Sequence, residues 1–378
     1  MITRVFEITQ IDDKAKEELR EAAKALRNGG LVAFPTETVY GLGADALNPE
    51  AVRSIYLAKG RPSDNPIIVH IADLSALESL VPAISPEVKI LAERFWPGPL
   101  TMVLPKLPQV PHVTTGGLPT VAVRMPDNPI ALELIRQCGC PIAAPSANIS
   151  GRPSPTKGDH VVQDLMGKAD IIIKSHDCKV GIESTVLDLT GPVPTILRPG
   201  ILTPEQLGQA LGKEVIIDPG VMAQSTIDPR PDSGSSMAAQ IDDNGNVSGN
   251  SNTNSNNSIS NNGNNNNLNT PPKSPGMKYT HYAPKAEMVI LRGARADVER
   301  EMEKIREEKE RAGRKVGVLL FEEKDFEKAA HDFFAILRDL DDRNVDLILA
   351  GALNDKDSIG LAVMNRMLKA AGYKVIDV

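Results

Sequence analysis

The sequence predicts an α/β protein of two domains. The first is built on a twisted, mixed sheet, and the second is a smaller Rossmann-like α/β/α unit. Three observations carry the prediction. The chain has 378 residues, more than one ordinary domain of ~100–200 residues needs. Apolar runs of strand length alternate with amphipathic stretches of helix length along most of it. One segment breaks the pattern: of the 30 residues 241–270, 14 are Asn, 5 are Ser and 3 are Gly. Such a stretch buries too little to offset its conformational entropy and reads as a flexible linker. A coil of ~50 residues spans about 40 Å, enough to lie across a neighbouring domain. The expected divisions are 1–217, a linker over 218–284, and 285–378.

The elements follow in order. Asp12 and Asp13 open a helix whose inner side is Ala15, Leu19, Ala22, Ala23 and Leu26, and Gly29-Gly30 ends it. Residues 31–34 follow as a buried strand. Asn48-Pro49 supplies an N-cap and a first-turn proline for a helix that stops near Lys59-Gly60. Residues 67–71 form the next strand, and Ser85-Pro86 opens another helix. Strands over 100–104, 121–124, 142–144, 171–173 and 186–189 continue the series. Proline punctuation and uneven spacing favour a mixed sheet over a regular doubly wound one. Beyond the linker, strands over 288–291, 315–321 and 345–349 alternate with helices over 296–311, 326–332 and 358–371.

Composition narrows the function. A net charge of −7 argues against a basic domain gripping nucleic acid. One Trp, five Tyr and seven Phe are few for stacking unpaired bases. The longest apolar runs, such as 347–350, fall far short of the ~18 residues of a membrane span. Met1-Ile2-Thr3-Arg4 lacks a signal-peptide pattern, so the expectation is a cytoplasmic protein without a membrane partner. Three cysteines are too few for a disulfide framework.

Familiar motifs fail on context. Gly41-Leu42-Gly43-Ala44-Asp45-Ala46 fits a dinucleotide fingerprint on paper, but Thr36 to Tyr40 separate it from the strand and the next helix waits for Asn48. There is no P-loop, no H-E-x-x-H and no G-x-S-x-G. Cys138-Gly139-Cys140 lacks a second ligand pair and reads as packing, so no protein metal site is expected.

What remains is a supply of polar groups at strand ends and turns: Pro35-Thr36-Glu37-Thr38-Val39-Tyr40-Gly41, Lys59-Gly60-Arg61-Pro62-Ser63, His70, Arg124, Ser146-Ala147-Asn148, Glu183-Ser184-Thr185 and Arg198-Pro199-Gly200. Each has an ordinary explanation. Lys59 suits a helix C-terminus, where a cation gains ~0.3–1 kcal/mol. His70 suits a satisfied core histidine, Ser146 and Asn148 suit turns, and Glu183 suits an ion pair. Jointly, four cations from three separate segments would converge on one concave face if their elements share a sheet. Transfer at the α-phosphorus of a triphosphate develops negative charge that Lys, Arg and a metal ion stabilise.

In order and spacing these segments resemble the YrdC-type threonylcarbamoyl-AMP synthases, whose signature pairs Lys-x-Arg with a later Ser-x-Asn. Ser274-Pro275-Gly276-Met277-Lys278-Tyr279-Thr280-His281-Tyr282-Ala283-Pro284 is similar to the segment that marks the longer, two-domain members. The resemblance implies a twisted sheet with a large concave, positively lined cleft, followed by the Rossmann-like domain. It implies a nucleotidyltransferase that joins L-threonine, bicarbonate and ATP into L-threonylcarbamoyladenylate and releases pyrophosphate. A separate threonylcarbamoyl transferase machinery would then modify tRNA beside the anticodon.

The same resemblance assigns Lys59, Arg61, Ser146 and Asn148 to the catalytic signature and Thr36, His70, Arg124, Ala144 and Ser184 to threonine. It assigns Lys59, Ser63, Thr120, Ser146, Asn148, Ser154 and Arg198 to ATP. Arg124 would pair the threonine carboxylate, a task for which a guanidinium is better shaped than an ammonium. Magnesium would be held mainly by the ATP phosphates. Lys278, Tyr279, His281 and Tyr282 are candidates for a lid over a site whose intermediates hydrolyse in water. Two other readings stay open. A carbamoyl-transfer maturation enzyme would need zinc-binding cysteine pairs that this sequence lacks. A double-stranded RNA module would need binding that falls steeply with salt, and stable nucleic-acid binding is not expected here.

Overall fold

The computed structural model describes residues 2–225, 240–241, 247–248, 272, 274, 281–322, 324–353 and 359–378. Lys278, Tyr279 and most of the Asn-rich stretch lie outside the described residues.

Eleven strands form one sheet. They are β1 (Arg4–Glu7), β2 (Val32–Phe34), β3 (Gly41–Asp45), β4 (Val69–His70), β5 (Leu100–Pro105), β6 (Thr120–Arg124), β7 (Ile142–Ala143), β8 (Ile171–Lys174), β9 (Thr185–Asp188), β10 (Thr195–Arg198) and β11 (Ile216–Ile217). Their spatial order is β1-β8-β2-β3-β7-β4-β6-β5-β9-β10-β11. Parallel pairs (β1–β8, β4–β6, β5–β9) occur beside antiparallel ones (β2–β3, β4–β7, β5–β6), so the sheet is mixed. A two-residue pair, β12 (Gln240–Ile241) and β13 (Val247–Ser248), follows. The second sheet is all parallel: β14 (Glu287–Arg292), β15 (Val316–Leu319), β16 (Leu347–Gly351) and β17 (Val375–Asp377), in the order β15-β16-β14-β17.

The helices are α1 (Asp13–Arg27), α2 (Pro49–Lys59), α3 (Pro86–Phe95), α4 (Pro129–Cys138), α5 (Gly158–Leu165), α6 (Pro204–Leu211), α7 (Pro219–Ser225), α8 (Arg295–Arg311), α9 (Phe326–Asp342) and α10 (Ile359–Ala370). Local chemistry sets their ends. The Asp12 carboxylate accepts from Ala15 N at 2.8 Å, and α1 buries the five residues its spacing predicts. Asn48 caps α2, and Gly60 stops it at φ +63°, a left-handed backbone that glycine adopts without strain. That stop leaves Lys59 in the last turn.

Side chains alternate across the first sheet with a period of two. Phe34, Ile142, Ile171 and Ile173 face α1 and α4, whereas Ala33, Leu42, Ala143 and Ile172 face α2, α3 and α5. The sequence reading needs four adjustments. The strand expected over 67–71 contracts to Val69–His70, because Ile67 N turns to Thr114 O. The helix expected over 326–332 runs to Asp342, as Phe333, Phe334, Leu337 and Leu340 extend its apolar face. Residues 41–45 form β3, a strand absent from the sequence reading, and a Cβ on Gly43 would meet Ile142 Cγ2 at 2.7 Å. That glycine makes room for packing. Several short elements, among them β1, β10 and α4 to α6, are additional. No helix among the described residues is long and apolar enough to cross a membrane.

The two sheets belong to units that pack closely. Val39 and Ile182 of the first share a core with Tyr282, Phe333 and Phe334. Gly181, at φ +84°, lies so near α9 that a Cβ would meet His331 Cα at 2.4 Å.

Candidate active site

The β2–β3 turn forms one wall of the site. The Thr36 hydroxyl donates to Val39 O at 2.6 Å and accepts from the amides of Thr38 and Val39 at 3.2 Å each, so it pins the turn from within. The loop after β7 is bound to that turn: Leu42 N donates to Pro145 O at 2.9 Å and Ala147 N to Tyr40 O at 2.8 Å.

Under this loop lies the ammonium of Lys59. It donates to Ser146 O and Asn148 O and is 2% exposed. Burial, and then the nearby Arg61, push its pKa well below the usual lysine value. The Ser146 hydroxyl donates to Asn148 Oδ1 at 2.5 Å, and Asn148 Nδ2 donates to Ile149 O and Arg152 O at 2.8 and 2.9 Å. Lys59 and the Ser-x-Asn half thus close into one hydrogen-bonded knot, while Arg61 Nη2 donates to Pro66 O at 3.1 Å. Two of the three ammonium N–H groups are used there.

The ends of the paired strands β4 and β6 bring His70 opposite Arg124. Burial first, then the Arg124 charge, hold the His70 ring down to about 3, so it is neutral near pH 7. It meets Phe34 edge-on at 6.2 Å. Arg124 Nε donates to Gly98 O at 3.3 Å, and Nη2 sits 2.6 Å from Glu37 Oε1 in a buried ion pair. Across the cavity, Arg198 donates through Nε and Nη2 to Ser184 O at 3.1 and 3.0 Å, and through Nη2 to Ser184 Oγ at 3.1 Å. Burial lowers the Arg198 guanidinium to about 10, with the Glu183 charge opposing that shift.

These walls bound a cleft that opens to solvent, about 600 Å³ with its open part included. Of the residues singled out from sequence, Thr36, Arg61, His70, Arg124, Ala144, Ser146, Arg198, His281 and Tyr282 line it, as does Glu183. Lys59, Asn148, Ser154 and Ser184 lie behind the lining. Ser154 Oγ donates to Glu183 Oε1 at 2.6 Å. Ser63 is exposed on the loop after α2, and Thr120 begins β6 at the end opposite Arg124. Sequence reasoning assigned no role to Glu37, and it missed Arg366, a fully buried arginine of α10 bonded to Glu183. The signal was available: Asn365, Arg366 and Lys369 interrupt an otherwise apolar helix.

His281 and Tyr282 close the cavity from the side of the second unit. The Tyr282 ring lies 5.1 Å from Phe334 and 5.5 Å from His281. Burial, then Arg61, depress the His281 ring to about 3, and burial raises the Tyr282 phenol to about 12, so both are neutral near pH 7.

The lining therefore combines three guanidinium groups with neutral hydrogen-bonding rings, a surface suited to anions. The Ser146 hydroxyl gives its proton to an amide oxygen rather than to a base, which is not the geometry of an activated nucleophile. Among the described residues no three His, Cys, Asp or Glu side chains group as metal ligands.

The family model described as telomere recombination matches residues 24–200, and the one described as threonylcarbamoyl-AMP synthase, C-terminal domain, matches residues 239–372. The threonylcarbamoyl-AMP synthase of Pyrococcus abyssi is 44% identical over 98% of this chain and 99% of its own length. That of Bacillus subtilis is 42% identical over 95% and 94%. The crystal structure of P. abyssi Sua5 complexed with L-threonine superposes with a TM-score of 0.81 at 43% identity, covering 100% of both chains.

Proposed function

The chain belongs to the threonylcarbamoyl-AMP synthase family, and from that premise we propose how its cavity carries out the reaction. The enzyme is a nucleotidyltransferase that forms L-threonylcarbamoyladenylate for tRNA modification, and L-threonine is its amino-acid substrate. Bicarbonate and ATP are the remaining substrates. Neither the carbamoyl-transfer nor the RNA-binding reading is favoured, since relatives matching almost the whole chain are synthases.

Thr36, His70, Arg124, Ala144 and Ser184 hold threonine. Arg124 takes its carboxylate while Glu37 holds the other side of the guanidinium. The neutral His70 ring lines the cavity beside Arg124 and offers the amino acid an uncharged hydrogen-bonding edge. Lys59, Arg61, Ser146, Asn148 and Arg198 hold the nucleotide, with Ser63, Thr120 and Ser154 as outer members of that set. The threonine amine combines with carbon dioxide from bicarbonate and loses a proton, giving a carbamate. A carbamate oxygen then bonds to the α-phosphorus as the bond to the β-phosphate oxygen breaks and pyrophosphate leaves. The protein contributes placement and compensation of charge. The Glu37 and Glu183 carboxylates are occupied by arginines, so the donor set suits magnesium arriving on the triphosphate and not a resident ion.

The observation that carries this reading is the convergence of Arg61, Arg124 and Arg198, from distant segments, on one cavity with Lys59 directly behind it. The test is pyrophosphate release by the purified chain without tRNA. Release should require threonine and bicarbonate together, and release indifferent to threonine would refute the reading.

A further inference from the structure

The Glu183 carboxylate is reached from both halves of the molecule. Ser154 holds Oε1 from the first unit, and Arg366 Nε, from α10 of the second, donates to Oε2 at 3.1 Å. The rest of the Arg366 guanidinium goes to main chain. Nη2 donates to Glu183 O at 3.4 Å, and Nη1 donates to Pro199 O and to Ala362 O at 3.1 Å. Glu183 precedes Ser184, and Pro199 follows Arg198. One planar fork therefore fastens both segments that carry these two site residues, a task a lysine's single point of attachment does not match.

We propose that Arg366 is a positioning residue for the synthase reaction: through Glu183 and Pro199 it sets Ser184 and Arg198 against the substrates, which gives the second unit a part in the active site. The proposal rests on the functional reading above. Electrostatics agree with it. Burial pushes the Glu183 carboxyl up, but Arg366, then Arg198 and the Ser154 hydroxyl, outweigh burial and leave it below the ordinary value. The other groups facing Glu183 are His281 and Tyr282, both neutral near pH 7, and Lys369, which burial lowers to about 7. Without Arg366, Arg198 is, among the described residues, the one partner that stays fully charged there, and the carboxyl should rise. The parent's Glu183 loses its charge only at low pH. The variant should lose it, and activity with it, as pH falls through a higher value.

The experiment uses the full chain and compares Arg366→Met, Arg366→Lys, the double variant Arg366→Met/Glu183→Gln, and Arg338→Met. Arg338 is an equally buried arginine of the second unit, bonded to Asp164 and Pro153 O instead of Glu183. For Arg366→Met, kcat/KM for threonine should fall about 100-fold, the scale of a ~1 Å misplacement, and Lys should recover about tenfold of that. The acid limb of kcat/KM should move up by about one pH unit in Arg366→Met and revert in the double variant. Arg338→Met should lower the thermal midpoint without moving that limb. Should Arg366→Met not fold, Arg366→Lys and the double variant, which leaves no unpaired carboxylate, carry the test. Variants with parental kcat/KM and acid limb, beside an active parent, overturn the proposal alone. A parent without threonine-dependent pyrophosphate release overturns the functional reading and the proposal with it.

Discussion

Arg124 is 4% exposed and held by Glu37 and Gly98 O, so its position in the wall does not depend on a ligand. Replacing it with Gln removes a charged hydrogen-bond donor worth about 1.5–3 kcal/mol, or roughly 10- to 150-fold. The threonine KM should rise by that factor while the ATP KM changes by less than about threefold. Steady-state kinetics varying each substrate in turn checks this, and equal losses for both substrates would contradict the assignment. At this scale the sequence was informative where a polar residue interrupts or ends an apolar run: His70 does the first, Arg124 and Arg198 the second, and all three line the cavity. It was uninformative about Glu37, because an acid in a turn is as easily solvent-facing as buried. Only the fold reveals that it meets a guanidinium from another strand.

Helix α2 shows how an ordinary cap serves the site. The Asn48 side chain accepts from the amides of Glu50 and Ala51 at 3.0 and 3.2 Å, and the other end of the helix delivers Lys59. Asn48→Ala should cost about 1 kcal/mol, lowering the first thermal transition by a few degrees, while kcat/KM stays within about twofold because the interior hydrogen bonds of α2 remain. A loss of activity far beyond that at an unchanged midpoint would mean that the cap acts directly on the site. Helices with two clear ends were legible, α1 and α2 above all. Helix α4 carries the same signature, Asn128-Pro129 at its start and Gly139 at φ +70° beyond its end. The four-residue strands β1 and β10 are too short for alternation to stand out; their pairing comes from neighbours remote in the chain.

At the scale of the whole molecule, the division into two α/β units followed from length and rhythm, but the way they join did not. Arg338 and Arg366 are fully buried at the junction, whereas an arginine in a helix is read from sequence as solvent-facing unless a partner is known. The partners, Asp164 and Glu183, lie more than 170 residues away along the chain. The account as a whole depends on one hollow accepting an amino acid and a nucleotide side by side. A crystal structure of this chain with L-threonine and a non-hydrolysable ATP analogue tests that directly. The threonine carboxylate should lie within hydrogen-bond distance of the Arg124 guanidinium, with the phosphates against Arg61 and Arg198. Threonine bound elsewhere, or phosphates turned away from those two arginines, would contradict it.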